Sequence, residues 1–146
     1  MDMKILVFFA ATAVALAVTA APMAAEQAAP TLTAHSSAFG KVLFDGHGFV
    51  LYAFGKDSRG RSDCRGACAN KWPPYVVRGK VHAGTGVKAS LLGTIRRSNG
   101  SRQVTYAGRP LYYYVGDKNA GQILCQNVSE FGGLWLVVRP SGKLVR

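Results

Sequence analysis

Two aspartates and three cysteines are the residues of this chain whose type and spacing could do chemistry. Asp57 and Asp117 stand sixty residues apart, each five residues after a tyrosine (Tyr52, Tyr112) and three after a second ring (Phe54, Tyr114). Two carboxylates brought together can act as general acid and base; in glycosidases they sit about 5–10 Å apart across the sugar. The competing role is local, because an aspartate at a strand end folds its carboxylate onto nearby backbone N–H groups and closes a turn. Each aspartate here follows its own strand and has a turn to close. The turn-closing role is therefore the expected one, and a carboxylate-dependent hydrolase is the weaker alternative.

Cys64 and Cys68 are four residues apart, a spacing that a partial helical turn brings together and that rules out a catalytic C-x-x-C pair. In an oxidising compartment a bridge between them is expected. Cys125 makes the count odd: it is free, pairs with Cys64 or Cys68 instead, or links two chains. A nucleophilic Cys125 needs a basic neighbour, and none stands beside it in the sequence. The remaining ligand-bearing candidates, Asp63, His47 and His82, form no zinc spacing with the cysteines, and both histidines lie in glycine-rich turns where exposure is the usual explanation. Methionine is too scarce for a copper site of that type, and the C-x-x-C-H of covalent haem is missing. No metal and no cofactor is expected. G-x-S-x-G, H-E-x-x-H, Ser-x-x-Lys and a phosphate-binding glycine loop are likewise missing, so the chain reads as non-enzymatic.

The elements that must position these residues come in duplicate. FVLYAFGKD (Phe49 to Asp57) lies over PLYYYVGD (Pro110 to Asp117); VLFDGHG precedes the first and VTYAGR the second. Each is followed by a cysteine-bearing loop, then by a tryptophan and a valine pair: Trp72 with Val76-Val77, and Trp135 with Val137-Val138. Such self-similarity marks an internal repeat.

Within the first copy, Lys41 to Phe44 and Phe49 to Phe54 flank Asp45-Gly46-His47-Gly48, a strong hairpin signal. Tyr52 and Phe54 share one face of their strand while Leu51 and Ala53 take the other. Ser58 to Pro74 reads as a loop with one helical turn at Ala67 to Lys71, stopped by Trp72-Pro73-Pro74. Tyr75 to Val77 is a short strand, Gly79 to Gly86 a turn-rich connector, and Val87 to Gly93 a helical turn ended by glycine. A meander follows: Thr94 to Arg97, Arg102 to Tyr106 and Arg109 to Val115, with tight turns at Asn99-Gly100 and Ala107-Gly108. Leu134 to Val138 is the last strong strand, with Lys143 to Val145 pairing across Pro140 to Gly142. A half of about fifty residues is too small to bury much core alone. The expected architecture is therefore a mainly β, pseudo-symmetric, antiparallel domain of two repeats (about 40–78 and 94–139), a sandwich or a distorted barrel, with long loops and one or two helical turns.

Across roughly Gly40 to Arg139, these two copies together with CRGACANKWPP (Cys64 to Pro74) and RQVTYAGRPLYYYVGD (Arg102 to Asp117) resemble a family of secreted or lipid-anchored bacterial proteins. That family is known by a Y-x-[FWY]-x-x-D motif and as a secreted repeat of unknown function. The resemblance implies export and no stated reaction. It gives Tyr52, Phe54, Asp57, Tyr112, Tyr114 and Asp117 as motif residues, with Trp72 and Trp135 behind them, and supports the Cys64–Cys68 bridge through the pattern C-x-G-x-C-A-x-x-W-P-P. Cys125 departs from the pattern.

Met1 to Ala20 has the charged start, apolar run and small-residue end of a secretory signal peptide, with cleavage before Ala21 or as late as Glu26. Its apolar run is shorter than the about 20 residues that span a bilayer. No cysteine lies near the cleavage site, so lipid attachment there is not expected. Residues 21–39, rich in Ala, Pro, Thr and Ser, read as a disordered lead-in, and 40–146 as the single domain. Removing 1–20 takes one lysine and one aspartate and leaves the net charge at +11. So basic a surface attracts anions. In the periplasm or outside the cell these are envelope polymers and lipid head groups, and exposed rings beside Arg102 and Arg109 are the candidate contacts. No nucleic-acid-binding motif is present. The chain is expected to be an envelope-associated binding or structural module; the alternative from another class is a periplasmic redox or metal-handling protein using the cysteines.

Overall fold

In the computed structural model, residues 29–146 are described. The signal segment and the first part of the lead-in, through residue 28, lie outside the described residues. The elements are β1 (Thr31–Ser37), β2 (Gly40–Asp45), β3 (Tyr52–Phe54), α1 (Ala67–Lys71), β4 (Val76–Val77), β5 (His82–Ala83), a 3₁₀ turn (Ala89–Leu91), β6 (Leu92–Arg96), β7 (Arg102–Tyr106), β8 (Arg109–Pro110), β9 (Val128–Glu130) and β10 (Gly133–Val137). They form small sheets ordered β2-β1-β5, β3-β10-β9 and β4-β7-β6, with β8 on β7. No barrel closes among the described residues.

The two halves share one plan. The β1–β2 hairpin pairs Leu32 with Asp45 through Ser37 with Gly40, and the β6–β7 hairpin pairs Leu92 with Tyr106 through Arg96 with Arg102. In each, the second strand is met by the next segment: Phe44 pairs with Val50, Thr105 with Pro110. Leu51 N–H donates to Leu43 O at 3.0 Å, and Leu111 N–H to Val104 O at 3.0 Å. At the centre Tyr52 and Tyr112 pair with each other, exchanging both backbone hydrogen bonds at 2.9 Å.

The segment carrying each tryptophan then crosses to the other half. Trp135, Leu136 and Val137 of β10 pair with Phe54, Ala53 and Tyr52 of β3. Pro74 pairs with Tyr112, and β4 continues onto β7 through Val76–Gln103 and Val77–Arg102. Matching bonds repeat on the two sides: Leu43 N–H to Val138 O at 2.9 Å, Val104 N–H to Tyr75 O at 2.8 Å. Each repeat therefore completes the sheet of its sibling.

Strands at the centre are buried on both faces, as their alternation predicts. Tyr52 and Phe54 enter a core with Trp72, Tyr112, Trp135 and the three cysteines; Leu51 and Ala53 enter a second core with Leu32, Leu43, Val104, Tyr106 and Leu111. The Tyr113 ring points away from Tyr112, against Tyr75 at 5.4 Å, and its hydroxyl donates to Asp45 Oδ2 at 2.9 Å.

Four local expectations need correction. The lead-in does not run to residue 39: Thr31–Ser37 is a strand, because Leu32 and Ala34 alternate into the second core and the backbone pairs along all of β2. The connector 79–86 contains β5, which runs parallel to β1. Gly93 ends no helical turn; it lies inside β6, where a side chain would meet Thr105 Oγ1 at 3.0 Å. At Asn99-Gly100 only the glycine has positive φ, and Arg97 N–H bonds to Ser101 O at 2.8 Å, so the connection is a three-residue loop rather than a primed two-residue turn.

Candidate functional site at the junction of the repeats

The two halves of the duplicated unit meet through their repeated tyrosines and aspartates. Each motif tyrosine bonds the aspartate of the other repeat: Tyr52 OH donates to Asp117 Oδ2 at 2.8 Å, and Tyr112 OH donates to Asp57 Oδ2 at 2.7 Å. The second oxygen of each carboxylate holds its own loop, Asp57 Oδ1 accepting Asp63 N–H at 2.7 Å and Asp117 Oδ1 accepting Leu124 N–H at 3.0 Å. The expected Asx turn is thus replaced by a longer clasp of six or seven residues and a bond across the junction. Behind the aspartates the same loops dock again: Gly60 N–H donates to Gly108 O at 2.8 Å, and Gly121 N–H to Gly48 O at 2.9 Å.

Between the crossed pairs runs a column of rings. Trp72 and Trp135 stack on each other at 4.0 Å and 5°, Phe54 stacks on Trp135 at 4.2 Å, and Tyr114 packs on Trp72 at 4.8 Å. Tyr52 and Tyr112 present their edges to Trp72 and Trp135 at 5.2 and 5.1 Å. Offset-stacked and edge-on rings each add about 0.5–1.5 kcal/mol beyond area burial. The indole N–H groups are satisfied too, Trp72 Nε1 donating to Glu130 Oε2 at 3.0 Å and Trp135 Nε1 to Glu130 O at 3.3 Å, while Lys71 pairs with Glu130 Oε1.

Burial sets the titration of these groups. It drives the Tyr52 and Tyr112 phenols well above the usual tyrosine range, with the facing carboxylates adding to the effect. It raises the Asp117 carboxyl and pushes Asp57 up to about 6, against the opposing pull of Asp63 N–H and the Tyr112 hydroxyl. Asp57 thus holds its proton more tightly folded than unfolded. Its contribution to stability is present below the unfolded value of 3.8 and is lost as the pH rises through about 6. Discounted for partial exposure, this amounts to about 1–2 kcal/mol. Between pH 4 and pH 7 the urea midpoint of the wild type is expected to fall relative to that of Asp57→Asn; parallel pH profiles for the two proteins would refute the assignment.

This geometry leaves the hydrolase alternative without support. Both oxygens of each carboxylate are engaged, and the cavity that Asp57 lines, with Arg59 and Arg109, does not include Asp117. The thiols fare similarly. Cys64 and Cys68 form a disulfide with Cα atoms 5.3 Å apart, which removes both from the candidate metal ligands. Cys125 is free and buried in the aromatic core, where its N–H approaches Tyr52 OH at 3.4 Å. It follows Leu124 as Cys64 follows Asp63, so it is the counterpart of Cys64 without a bridge. His47 and His82 are exposed in a turn and on β5, and Asp63 pairs with Arg61 at 3.5 Å.

Arg102 and Arg109 are exposed but are not brought together. Arg102 donates to Thr94 Oγ1 at 2.9 Å, and Arg109 Nε donates to Gly142 O at 3.2 Å. Several residues that bear on the junction carried no usable sequence signal. Ser62 lies 2.6 Å from Tyr112 OH, and Arg97 bonds Ser62 Oγ, Gln103 Oε1 and Cys64 O at 2.9, 2.7 and 2.7 Å.

Comparison with known sequences matches the same two units. The sequence model of a family described as a secreted repeat of unknown function fits residues 33–75 and again residues 93–139. These spans run from β1 to Tyr75 and from β6 to just past β10. No curated protein and no solved structure matches the chain.

Proposed function

The chain belongs to the family of secreted repeats of unknown function, and on that premise we propose that it is an exported, non-enzymatic module that binds or braces the cell envelope from the periplasmic or outer side. One observation carries the reading. The tyrosines, aspartates and tryptophans of the duplicated unit are spent inside the molecule, joining its halves, and what remains for contact with the outside is a basic surface. Arg59, Arg61, Arg65, Arg78, Lys80, Arg96, Arg102 and Arg109 are all exposed. With a net charge of +11, the surface favours polyanions: phosphate-rich wall polymers or acidic lipid head groups. No helix among the described residues is long and apolar enough to cross a membrane, which suits association at a surface.

The test is retention. Mature protein added to washed wall and membrane fractions is expected to sediment with them at low salt and to be released as ionic strength rises and the Debye length shrinks to about 10 Å or less. Failure of both fractions to hold the protein at low salt would overturn the proposal.

A further inference from the structure

Four arginines separated in the sequence meet at one notch. Arg61 and Arg65 come from the disulfide loop, Arg96 and Arg97 from the end of β6, and together they line a cavity of about 80 Å³. No acidic residue is among its lining. Among the described residues Asp63 is the one carboxylate ion-paired with any of the four, 3.5 Å from Arg61 Nε, and the Asp57 carboxylate is also within the electrostatic reach of Arg97. The notch is held open by construction. Arg97 is half-buried and ties the loop to the hairpin through Ser62 Oγ and Cys64 O, while the Cys64–Cys68 bridge pins the loop from the other side. Of the five guanidinium N–H donors of Arg97, three serve Ser62, Gln103 and Cys64, which leaves two for a ligand. The Arg65 and Arg96 side chains are exposed and make no hydrogen bond within the described residues.

Guanidinium groups gathered around a notch without an acid repel one another, and a bound oxyanion removes that repulsion while accepting fork-shaped pairs of N–H donors. The small volume suits a compact tetrahedral group better than a sugar ring. We infer that the notch formed by Arg61, Arg65, Arg96 and Arg97 is a binding site for a phosphate-type oxyanion. This deepens the envelope reading above and rests on it for the source of the anion. The phosphodiesters of acidic lipids and of wall polymers present the same group.

The experiment titrates the full mature protein with inorganic tripolyphosphate at low ionic strength, followed by amide NMR and calorimetry. Shifts are expected to concentrate on residues 60–66 and 95–98. The variants Arg65→Ala and Arg96→Ala remove groups with no internal partner and are expected to weaken binding about tenfold each, with thermal midpoints unchanged. Lys118→Ala and Lys143→Ala, exposed cations away from the notch, are expected to bind as the wild type. Equal losses from all four variants, or shifts spread over the whole basic surface, would mean diffuse charge and would overturn the site. Should Arg65→Ala/Arg96→Ala bind tripolyphosphate normally while envelope fractions still retain it, the notch falls and the envelope reading stands. Should the notch bind tripolyphosphate through Arg65 and Arg96 while no envelope fraction retains the protein, the reverse holds. Cosedimentation with vesicles containing phosphatidylglycerol, against capture by a soluble phosphodiester polymer, assigns the source; dependence on Arg65 and Arg96 in either arm supports the site.

Discussion

Cut between Val87 and Lys88, the protein is expected to yield two fragments that are each unfolded and that fold when mixed. The N-terminal piece keeps β1 to β5 and the C-terminal piece β6 to β10. Alone, the N-terminal piece keeps the small sheet β2-β1-β5 and the C-terminal piece keeps β6-β7-β8 and the β9–β10 pair, each without the strand and core face that the other repeat supplies. The N-terminal piece loses β10 from β3 and the acceptor for Tyr52; the C-terminal piece loses β4 from β7 and the acceptor for Tyr112. Each also exposes a tryptophan that is fully buried in the whole. Pieces of about sixty residues are marginal even with complete cores. Separate amide spectra should be undispersed, and the equimolar mixture should recover the spectrum of the intact chain. A dispersed spectrum from either piece alone would show that a repeat is self-sufficient and would refute the exchange of strands as the source of stability.

Trp135→Ala is expected to cost about 3–5 kcal/mol, the range for removing a large buried ring. The loss is broad because Trp135 touches three other rings of the column: the face of Trp72 at 4.0 Å, the face of Phe54 at 4.2 Å and the edge of Tyr112 at 5.1 Å. It also gives up the bond to Glu130 O, next to a side chain already shared by Lys71 and Trp72. Against a total of about 5–15 kcal/mol for a domain, this is enough to unfold much of the population at moderate temperature. Leu134 is the control. It precedes Trp135 on β10 and faces outward, so Leu134→Ala should stay within about 1 kcal/mol. Urea midpoints at one pH decide the matter, and comparable losses from the two variants would show that the column is not the seat of the stability.

What was legible in the sequence was local or periodic. Alternation placed Tyr52 and Phe54 in one core and Leu51 and Ala53 in the other. Proline after Trp72 fixed the end of α1, and the spacing of four gave the Cys64–Cys68 bridge. The duplication itself was legible because each copy kept its aromatic and turn residues in order. What was not legible is the crossing. Nothing near Asp57 says that its partner is Tyr112 rather than its own Tyr52, since both pairings satisfy the same donors and acceptors. The choice is made by the exchange of the tryptophan strands, a property of the assembled chain. The arginine notch is hidden for a like reason: positions 61, 65, 96 and 97 become neighbours through the docking of a loop on a hairpin. The strand at Thr31–Ser37 was masked by composition, its two inward apolar residues diluted among Ala, Ser and Thr.

The reciprocal contacts have a consequence for how the halves associate. Backbone bonds exchanged between Tyr52 and Tyr112, and indoles stacked face to face, are what a self-complementary interface looks like on its rotation axis. The two repeats thus meet within one chain as the protomers of a twofold dimer would. Carrying both copies in one chain makes the association intramolecular and independent of concentration. Because the two copies lie in one chain they need not be identical, and they are not: the first loop carries the Cys64–Cys68 bridge and Cys125 in the second has none.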